Sequence, residues 1–214
     1  MKQIEKVRLD WSEEDVSRNL NHYADRALEL GASRATVIDA DRIVVDDRVT
    51  LKCQVPRCFG YGACAHCPPN TMKPSELRGY LKDYRKAVFF TQDVPPEVIA
   101  RNRATIKERI DVYRSLFEIV NQLESMAFYD GHYLAFGLGA GSCRHSLCAD
   151  AKGCRALEEG RCRHPLRARP SMEAVGIDVF RMASSIGWDI YPIGSDAQPA
   201  DIPKGTLAGL VVVC

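Results

Sequence analysis

Four cysteines lie within fifteen residues in the stretch Cys53-Gln-Val-Pro-Arg-Cys58-Phe-Gly-Tyr-Gly-Ala-Cys64-Ala-His-Cys67, which continues into Pro68 and Pro69. A second group occupies twenty residues and consists of Cys143, Cys148, Cys154 and Cys162. Four thiolates complete the coordination of a tetrahedral zinc ion or of an iron–sulfur cluster. A loop closed around such a centre gains the stability that its backbone alone does not supply. The two stretches therefore predict two metal loops, and the elements around them define the fold.

The first three cysteines of each group have the same spacing, with four and then five residues between them. Corresponding cysteines are 90 positions apart, and each group precedes a helix start made of a basic residue, proline and serine, at Lys73-Pro74-Ser75 and Arg169-Pro170-Ser171. This pattern suggests one domain over residues 1–214 with two pseudo-repeated halves, at about 32–92 and 132–194. Coincidence is the alternative, because the residues between the cysteines do not otherwise match.

The spacing also bears on the identity of the metal. Structural zinc sites usually contain two short Cys-x2-4-Cys knuckles, and here only the pair Cys64 and Cys67 is separated by two residues. Wider intervals suit a bulkier group, and glycines between Cys58 and Cys64 let the backbone approach its sulfides. We therefore expect two [4Fe–4S] clusters, with zinc as the alternative and mixed occupancy left open.

Hydrophobic periodicity predicts an α/β or α+β fold with one mixed sheet of about five strands, packed helices and the two cysteine loops. The expected helices cover residues 12 to about 30, 74 to about 84, 96 to about 128, and 169–187. Candidate strands are residues 35–38, 42–51, 87–90, 133–138, 188–193 and 207–213.

Composition limits the class of protein. The 214 residues include 29 basic and 28 acidic side chains, so no overall basic excess indicates nucleic acid as a partner. The chain has neither a signal peptide pattern nor an apolar run long enough for a membrane span, which predicts a cytoplasmic protein. Nine cysteines in a reducing compartment indicate metal rather than disulfides. The oligomeric state cannot be read from the sequence.

Local charge is more informative than net charge. Residues 143–169 contain seven basic and three acidic side chains. Such an excess would stabilise the reduced state of an anionic cluster and could dock an acidic redox partner or an anionic substrate. A solvated basic face is the simpler interpretation. We assign no metal role to His66, His145 or His164, and Cys214 is expected to be an ordinary thiol.

Several motifs resemble a known family. They include Cys53 to Cys58 with Phe-Gly-Tyr-Gly, Cys67-Pro-Pro, Cys162-Arg-His-Pro, and Arg169-Pro-Ser-Met-Glu-Ala174, the last being the most specific. Together they resemble the predicted metal-binding proteins of the domain-of-unknown-function family DUF2284. The resemblance implies a cysteine-rich iron–sulfur protein of anaerobic bacteria and archaea, but it names no reaction. Cys64 lies outside the family pattern, and if it is not a ligand the first cluster has an open iron. The second loop has wider early spacings than the family pattern.

Three functions follow as hypotheses. The first is electron transfer to or from a partner redox enzyme, through one cluster on Cys53, Cys58, Cys64 and Cys67 and another on Cys143, Cys148, Cys154 and Cys162. The second is a redox enzyme with an open-site cluster at the first loop and Tyr61 or His66 as proton donors. The third is an interaction module with structural zinc. No nucleophilic triad, phosphate-binding glycine loop or zinc-protease helix is present in the sequence.

Overall fold

A computed structural model describes residues 6–7, 10–100, 105–194 and 196–214. Within them the chain forms one sheet from β1 (Arg34–Asp39), β2 (Lys86–Val94), β3 (Phe136–Leu138) and β4 (Gly205–Val212). The strand order is β1-β2-β4-β3, and every neighbouring pair is antiparallel. The expected combination of helices with one sheet is confirmed, with four antiparallel strands in place of a mixed sheet of about five.

The central strands β2 and β4 are covered on both faces. Val88 and Phe90 of β2 enter one core, whereas Phe89 of β2 and Leu210 of β4 enter the other, so alternate side chains lie on opposite faces of the sheet. Both strands consequently consist of nearly continuous apolar runs, which is what a strand buried on both faces requires. Gly209 pairs with Phe90 across the two strands, and only glycine leaves room for the Phe90 ring, because a Cβ atom at this position would lie 2.3 Å from its Cζ.

Two long helices, α1 (Glu13–Glu29) and α5 (Ile106–Tyr129), cover one face of the sheet. The Ser12 side chain accepts a hydrogen bond from the backbone N–H of Asp15 at 3.0 Å, which satisfies a donor at the start of α1. The expected helix at 96–128 is divided into α4 (Pro96–Ile99) and α5, with residues 101–104 lying outside the described part.

The opposite face is covered by α3 (Pro74–Tyr80), α7 (Val179–Ser185) and a short 3-10 turn, Glu173–Val175. The expected helix at 169–187 is wrong in its first half. The backbone N–H of Gly139 donates to Pro170 O and that of Met172 donates to Gly139 O, so this segment forms a bridge beside the sheet instead of a helical turn.

Two expected strands are also wrong. Residues 42–51 begin at the last residue of a 3-10 turn, Ala40–Arg42, and include the first part of α2 (Asp47–Gln54). The helix starts there because the Asp46 carboxylate caps it through the N–H of Arg48. Residues 188–193 form no strand, since the Trp188 ring stacks on Phe89 at 5.4 Å and covers the sheet face. A short helix, α6 (Arg155–Glu159), lies inside the second cysteine group and was not expected.

None of the helices in the described residues is both long and apolar enough to cross a membrane.

Candidate metal centre

The first cysteine loop begins at the C-terminal end of α2 and leads to α3. Tight backbone turns follow one another along it: Cys58 N–H donates to Cys53 O at 3.0 Å, and Cys67 N–H donates to Cys64 O at 3.2 Å. A hydrogen bond of 2.7 Å from Gly62 N–H to Pro68 O closes the turn that contains the last two cysteines. The glycine and proline content therefore produces a chain of turns that brings the cysteines close together.

The second cysteine loop leaves the sheet after β3 and returns to the same place. Its two ends meet where Gly139 bonds to Pro170 and Met172. Inside the loop, the Arg144 guanidinium donates to the carbonyl oxygens of Cys148 and Ala151, both at 2.6 Å. Arg144 thus uses its planar group to hold the backbone around the cysteines.

The two loops touch through their thiols. Cys143 Sγ lies 3.8 Å from Cys64 Sγ, and the Cys67 thiol donates to Ser142 Oγ at 3.3 Å. The three cysteines at this junction are between 1% and 7% exposed. The His66 ring is adjacent, with Nδ1 at 3.6 Å from Cys143 Sγ. The structure thus brings together cysteines that the sequence assigns to separate groups.

Hydrogen bonds between the thiols at the junction shift their pKa values in opposite directions. Hydrogen bonds from Cys143 and Cys67 lower the pKa of the Cys64 thiol. The same contacts with Cys64, reinforced by burial, raise the pKa values of Cys143 and Cys67. Burial lowers the pKa of His66, which favours its neutral ring. Cys64 is therefore the thiol of this group that loses its proton first.

A small cavity of about 20 Å³ connects the junction with the rest of the second loop. Five cysteines line it, namely Cys64, Cys143, Cys148, Cys154 and Cys162. Arg144, Arg155 and Arg163 line the same cavity, so positive groups surround the thiols. A tetrahedral zinc ion takes four ligands, one fewer than the thiols present. Among the described residues, no three His, Cys, Asp or Glu side chains are arranged closely enough to hold a single metal ion.

Cys53 and Cys58 of the first loop do not line this cavity. Gly60 lies beside both Cys58 and Cys67, because its Cβ position would be 3.8 Å from the first sulfur and 3.5 Å from the second. The Gly60 N–H donates to Cys58 Sγ at 3.4 Å. In the second loop His164 N–H donates to Cys162 Sγ at 3.3 Å. Such N–H···S bonds are one means by which a protein tunes a sulfur-ligated centre.

Two residues near the thiols were not singled out from the sequence. Ser142 contacts both Cys64 and Cys67 through its hydroxyl. Glu173 lies close enough to Cys53 for its charge to raise the pKa of that thiol, after the larger effects of burial and of the neighbouring Cys58. Burial also raises the pKa of Glu173. The only available signals were the place of Ser142 directly before Cys143 and that of Glu173 in the Arg-Pro-Ser-Met-Glu string.

Part of the basic excess in the second loop holds the structure together. Arg169 forms an ion pair with Glu124 on α5, and Arg167 forms one with Glu118 on the same helix. Arg155 pairs with Glu159 within α6. These contacts leave the loop positively charged but restrict the number of cations that face solvent freely.

The remaining candidates occupy varied positions. Tyr61 is half-buried under the Arg57 guanidinium, 5.2 Å from its ring centre, and the His145 ring packs against Phe59 at 4.7 Å. Cys214 lines a separate cavity of about 530 Å³ with Trp11 and Phe136, away from the eight loop cysteines. All nine thiols are free of disulfide bonds.

An antiparallel sheet with helices on both faces, carrying two cysteine loops that meet at their thiols, defines a class of cysteine-rich α/β proteins. The chain belongs to the DUF2284 family, whose model carries the description "predicted metal-binding protein" and matches residues 36–212. This match confirms the family expected from the motifs and, with it, metal binding as the general description. No curated protein and no solved structure matches the chain.

Proposed function

We propose that the protein carries two [4Fe–4S] clusters on its cysteine loops and transfers electrons to or from a partner redox enzyme. The observation that carries the proposal is the contact between the loops at Cys64 and Cys143, whose sulfurs are 3.8 Å apart. Groups bound on either side of this contact would be neighbours, and electrons could pass between them. Bound iron–sulfur clusters would supply one-electron transfer, and the chain would supply their ligands, a positively charged environment and protection from water.

The donor set fits clusters in number and in electrostatics. Eight free thiols supply the four ligands that each of two [4Fe–4S] clusters requires. Arg144, Arg155 and Arg163 line the thiol cavity, and their positive charge would offset the negative charge of a thiolate-ligated cluster. The N–H groups of Gly60 and His164 donate to cysteine sulfurs, which further favours the thiolate form.

The zinc alternative is favoured by a specific distance. Two thiolates on one tetrahedral zinc ion, each with a bond of about 2.3 Å, have sulfurs about 3.8 Å apart. Cys64 and Cys143 have this separation, and a cavity of about 20 Å³ is large enough for one ion. Zinc at this contact would join the two loops as a structural clamp, and the protein would act as an interaction module.

The open-site enzyme is favoured by the position of Cys64. If Cys64 serves the second loop, the first loop retains Cys53, Cys58 and Cys67, and a cluster there would have one iron without a cysteine ligand. His66 and Tyr61 remain the candidate proton donors, and His66 lies beside the thiol junction with its Nδ1 3.6 Å from Cys143 Sγ. In that case Cys64→Ala should leave the first-loop centre assembled and reactive.

Metal and sulfide counts on anaerobically purified protein test the proposal. Two clusters predict about eight iron and about eight sulfide per chain, with a brown colour and a broad visible absorption that dithionite bleaches. Colourless protein with zinc and no sulfide would refute the proposal and support the structural clamp.

Cysteine variants then assign the ligands. Cys53→Ala and Cys148→Ala should each lose about half of the iron, since each removes a ligand from a different loop. Cys214→Ala is the matched control, because its thiol lines the separate cavity, and it should retain full iron content. Circular dichroism of each variant separates loss of metal from loss of fold. Unchanged iron in both loop variants would contradict the ligand assignment.

A further inference from the structure

Charge is strongly segregated between the cysteine loops and the rest of the chain. Residues 48–75 contain four basic and no acidic side chains, and residues 143–169 contain seven basic and three acidic ones. The two segments together have a net charge of +8, which leaves −7 for the remainder of a chain with a net charge of +1. The near-neutral total therefore conceals a positive region around the candidate metal centre.

The structure brings these two segments together on the molecule. Besides the contact between Cys64 and Cys143, the Phe59 ring of the first loop packs on the His145 ring of the second at 4.7 Å. The two positively charged segments are therefore adjacent in the fold. A region of one sign raises the local concentration of oppositely charged partners and accelerates their association.

Exposed cations remain after the ion pairs are taken into account. Among the described residues, six cations in the two segments are exposed and form no ion pair with an acidic side chain: Lys52, Arg57, Lys73, Lys152, Arg161 and Arg163. The ion-paired arginines instead contribute to holding the loops in place. The exposed cations are available for contact with another molecule.

Exposed apolar side chains occur in the same two segments. Leu51 is 50% exposed, Val55 and Phe59 are each 65% exposed, and Leu166 in the second segment is 76% exposed. Leu51 and Val55 are one helical turn apart, joined by a hydrogen bond from Val55 N–H to Leu51 O at 2.9 Å. Apolar contacts surrounded by charged groups are typical of protein interfaces, whereas a phosphate backbone would need only the cations.

We infer that this basic and apolar region is the docking surface for an acidic electron-carrier protein. The inference rests on the proposed electron-transfer function. In the reaction, one electron leaves the reduced carrier and enters the oxidised centre, and no covalent bond forms or breaks. Complementary charge would steer the carrier to the thiol centre, and the apolar side chains would contribute contact area in a transient complex.

Zero-length carbodiimide cross-linking to an acidic plant-type ferredoxin maps the surface without depending on reduction potentials. Lysines are the reacting groups, so Lys52, Lys73 and Lys152 should yield cross-linked peptides at low salt. Lys82 and Lys107 are also exposed but lie outside the two segments, and they should yield few. Equal yields at all five lysines would overturn the inference.

Charge reversal provides the quantitative test. The double variant Lys52→Glu/Lys152→Glu should weaken binding of the ferredoxin about tenfold at low ionic strength, because it changes the steering charge by four. Lys82→Glu/Lys107→Glu changes net charge by the same amount and should weaken binding less than about twofold if the surface is specific. The difference should disappear in high salt, where charges are screened.

Two controls separate this inference from its alternatives. Basic cytochrome c should not bind, and a 20-base-pair DNA duplex should bind more weakly than the ferredoxin; tighter binding of DNA would overturn the inference in favour of a nucleic-acid surface. Iron and sulfide counts test the proposed function separately. Protein with both clusters but no salt-dependent ferredoxin binding would refute the docking surface and leave the proposed function standing.

Discussion

The ion pair between Arg169 and Glu124 connects the end of the second cysteine loop to α5. The Arg169 guanidinium donates to both carboxylate oxygens of Glu124, at 2.8 and 2.5 Å, and also to the carbonyls of Pro165 and Ala168. Glu124 in turn accepts from Gly137 N–H in β3 at 2.6 Å. One arginine therefore joins the loop, the helix and the edge of the sheet. Arg169→Ala removes this connection.

The cost can be worked out from the geometry. The two side chains are only 20% and 17% exposed, so water compensates poorly for the loss. Each charge-assisted hydrogen bond contributes about 1.5–3 kcal/mol, and breaking a well-buried pair costs about 3–5 kcal/mol. Allowing for the partial exposure, we expect the free energy of unfolding to fall by about 3 kcal/mol. With a denaturant slope of about 2 kcal/mol per molar urea, the midpoint should fall by about 1.5 M.

Urea unfolding followed by circular dichroism measures this change, with iron content recorded on the same samples. Arg85→Ala is the matched control, because Arg85 pairs with Glu13 at 2.8 Å but the two side chains are 64% and 76% exposed. Its effect should be below about 1 kcal/mol. A shift for Arg169→Ala no larger than that of the control would refute the argument that this pair anchors the loop.

Three further predictions concern Gly209 in the sheet, the buried His132 and the bound metal. Gly209→Ala should lower the free energy of unfolding by about 2 kcal/mol, because the new Cβ would lie 2.3 Å from the Phe90 ring; Gly79→Ala, with no atom within 4 Å, should not lower it. Burial lowers the pKa of His132, so its contribution to stability is present above the unfolded value of 6.5 and is lost as the pH falls below it. The urea midpoint of His132→Gln should therefore change less between pH 7.5 and 5.5 than that of the wild type; equal changes would contradict this. Removing the metal should increase amide exchange in residues 143–168 while β2 and β4 remain protected; uniform exchange would show that the metal supports the whole fold.

Much of the fold could be predicted because its signals are local. Ser12 caps α1 as expected, and β2 and β4 follow from continuous apolar runs. Residues 42–51 were misassigned because their β-branched residues favour a strand, whereas the Asp46 cap and its bond to Arg48 N–H start a helix. The strand expected at 188–193 does not form, because Trp188 instead stacks on Phe89. This tertiary contact cannot be read from any local sequence pattern.

The candidate site was predictable in its residues but not in its arrangement. Cysteine spacing singles out the eight loop thiols, and the motifs around them, above all Arg169-Pro-Ser-Met-Glu-Ala174, predict the family to which the chain belongs. It cannot indicate that Cys64 lies beside Cys143, since that contact joins residues 79 positions apart. The position of the second loop depends on the bridge at Gly139 and on the pairing of Arg169 with Glu124, both of which require the folded sheet and helix.

The way the second loop closes explains why metal and structure are linked in this protein. The segment leaves the sheet after Gly139 and returns to it at Pro170, so no strand pairing supports the residues between. Few of its apolar side chains are buried: Cys143, Leu147 and Ala168 pack in a small cluster with Phe117 of α5, and Cys154 and Cys162 are only partly buried against it. So small a core offsets little of the entropy lost in ordering the loop. Bonds from the thiols to a metal would supply the missing stability, and the same cysteines would then serve both the structure of the loop and the chemistry of the centre.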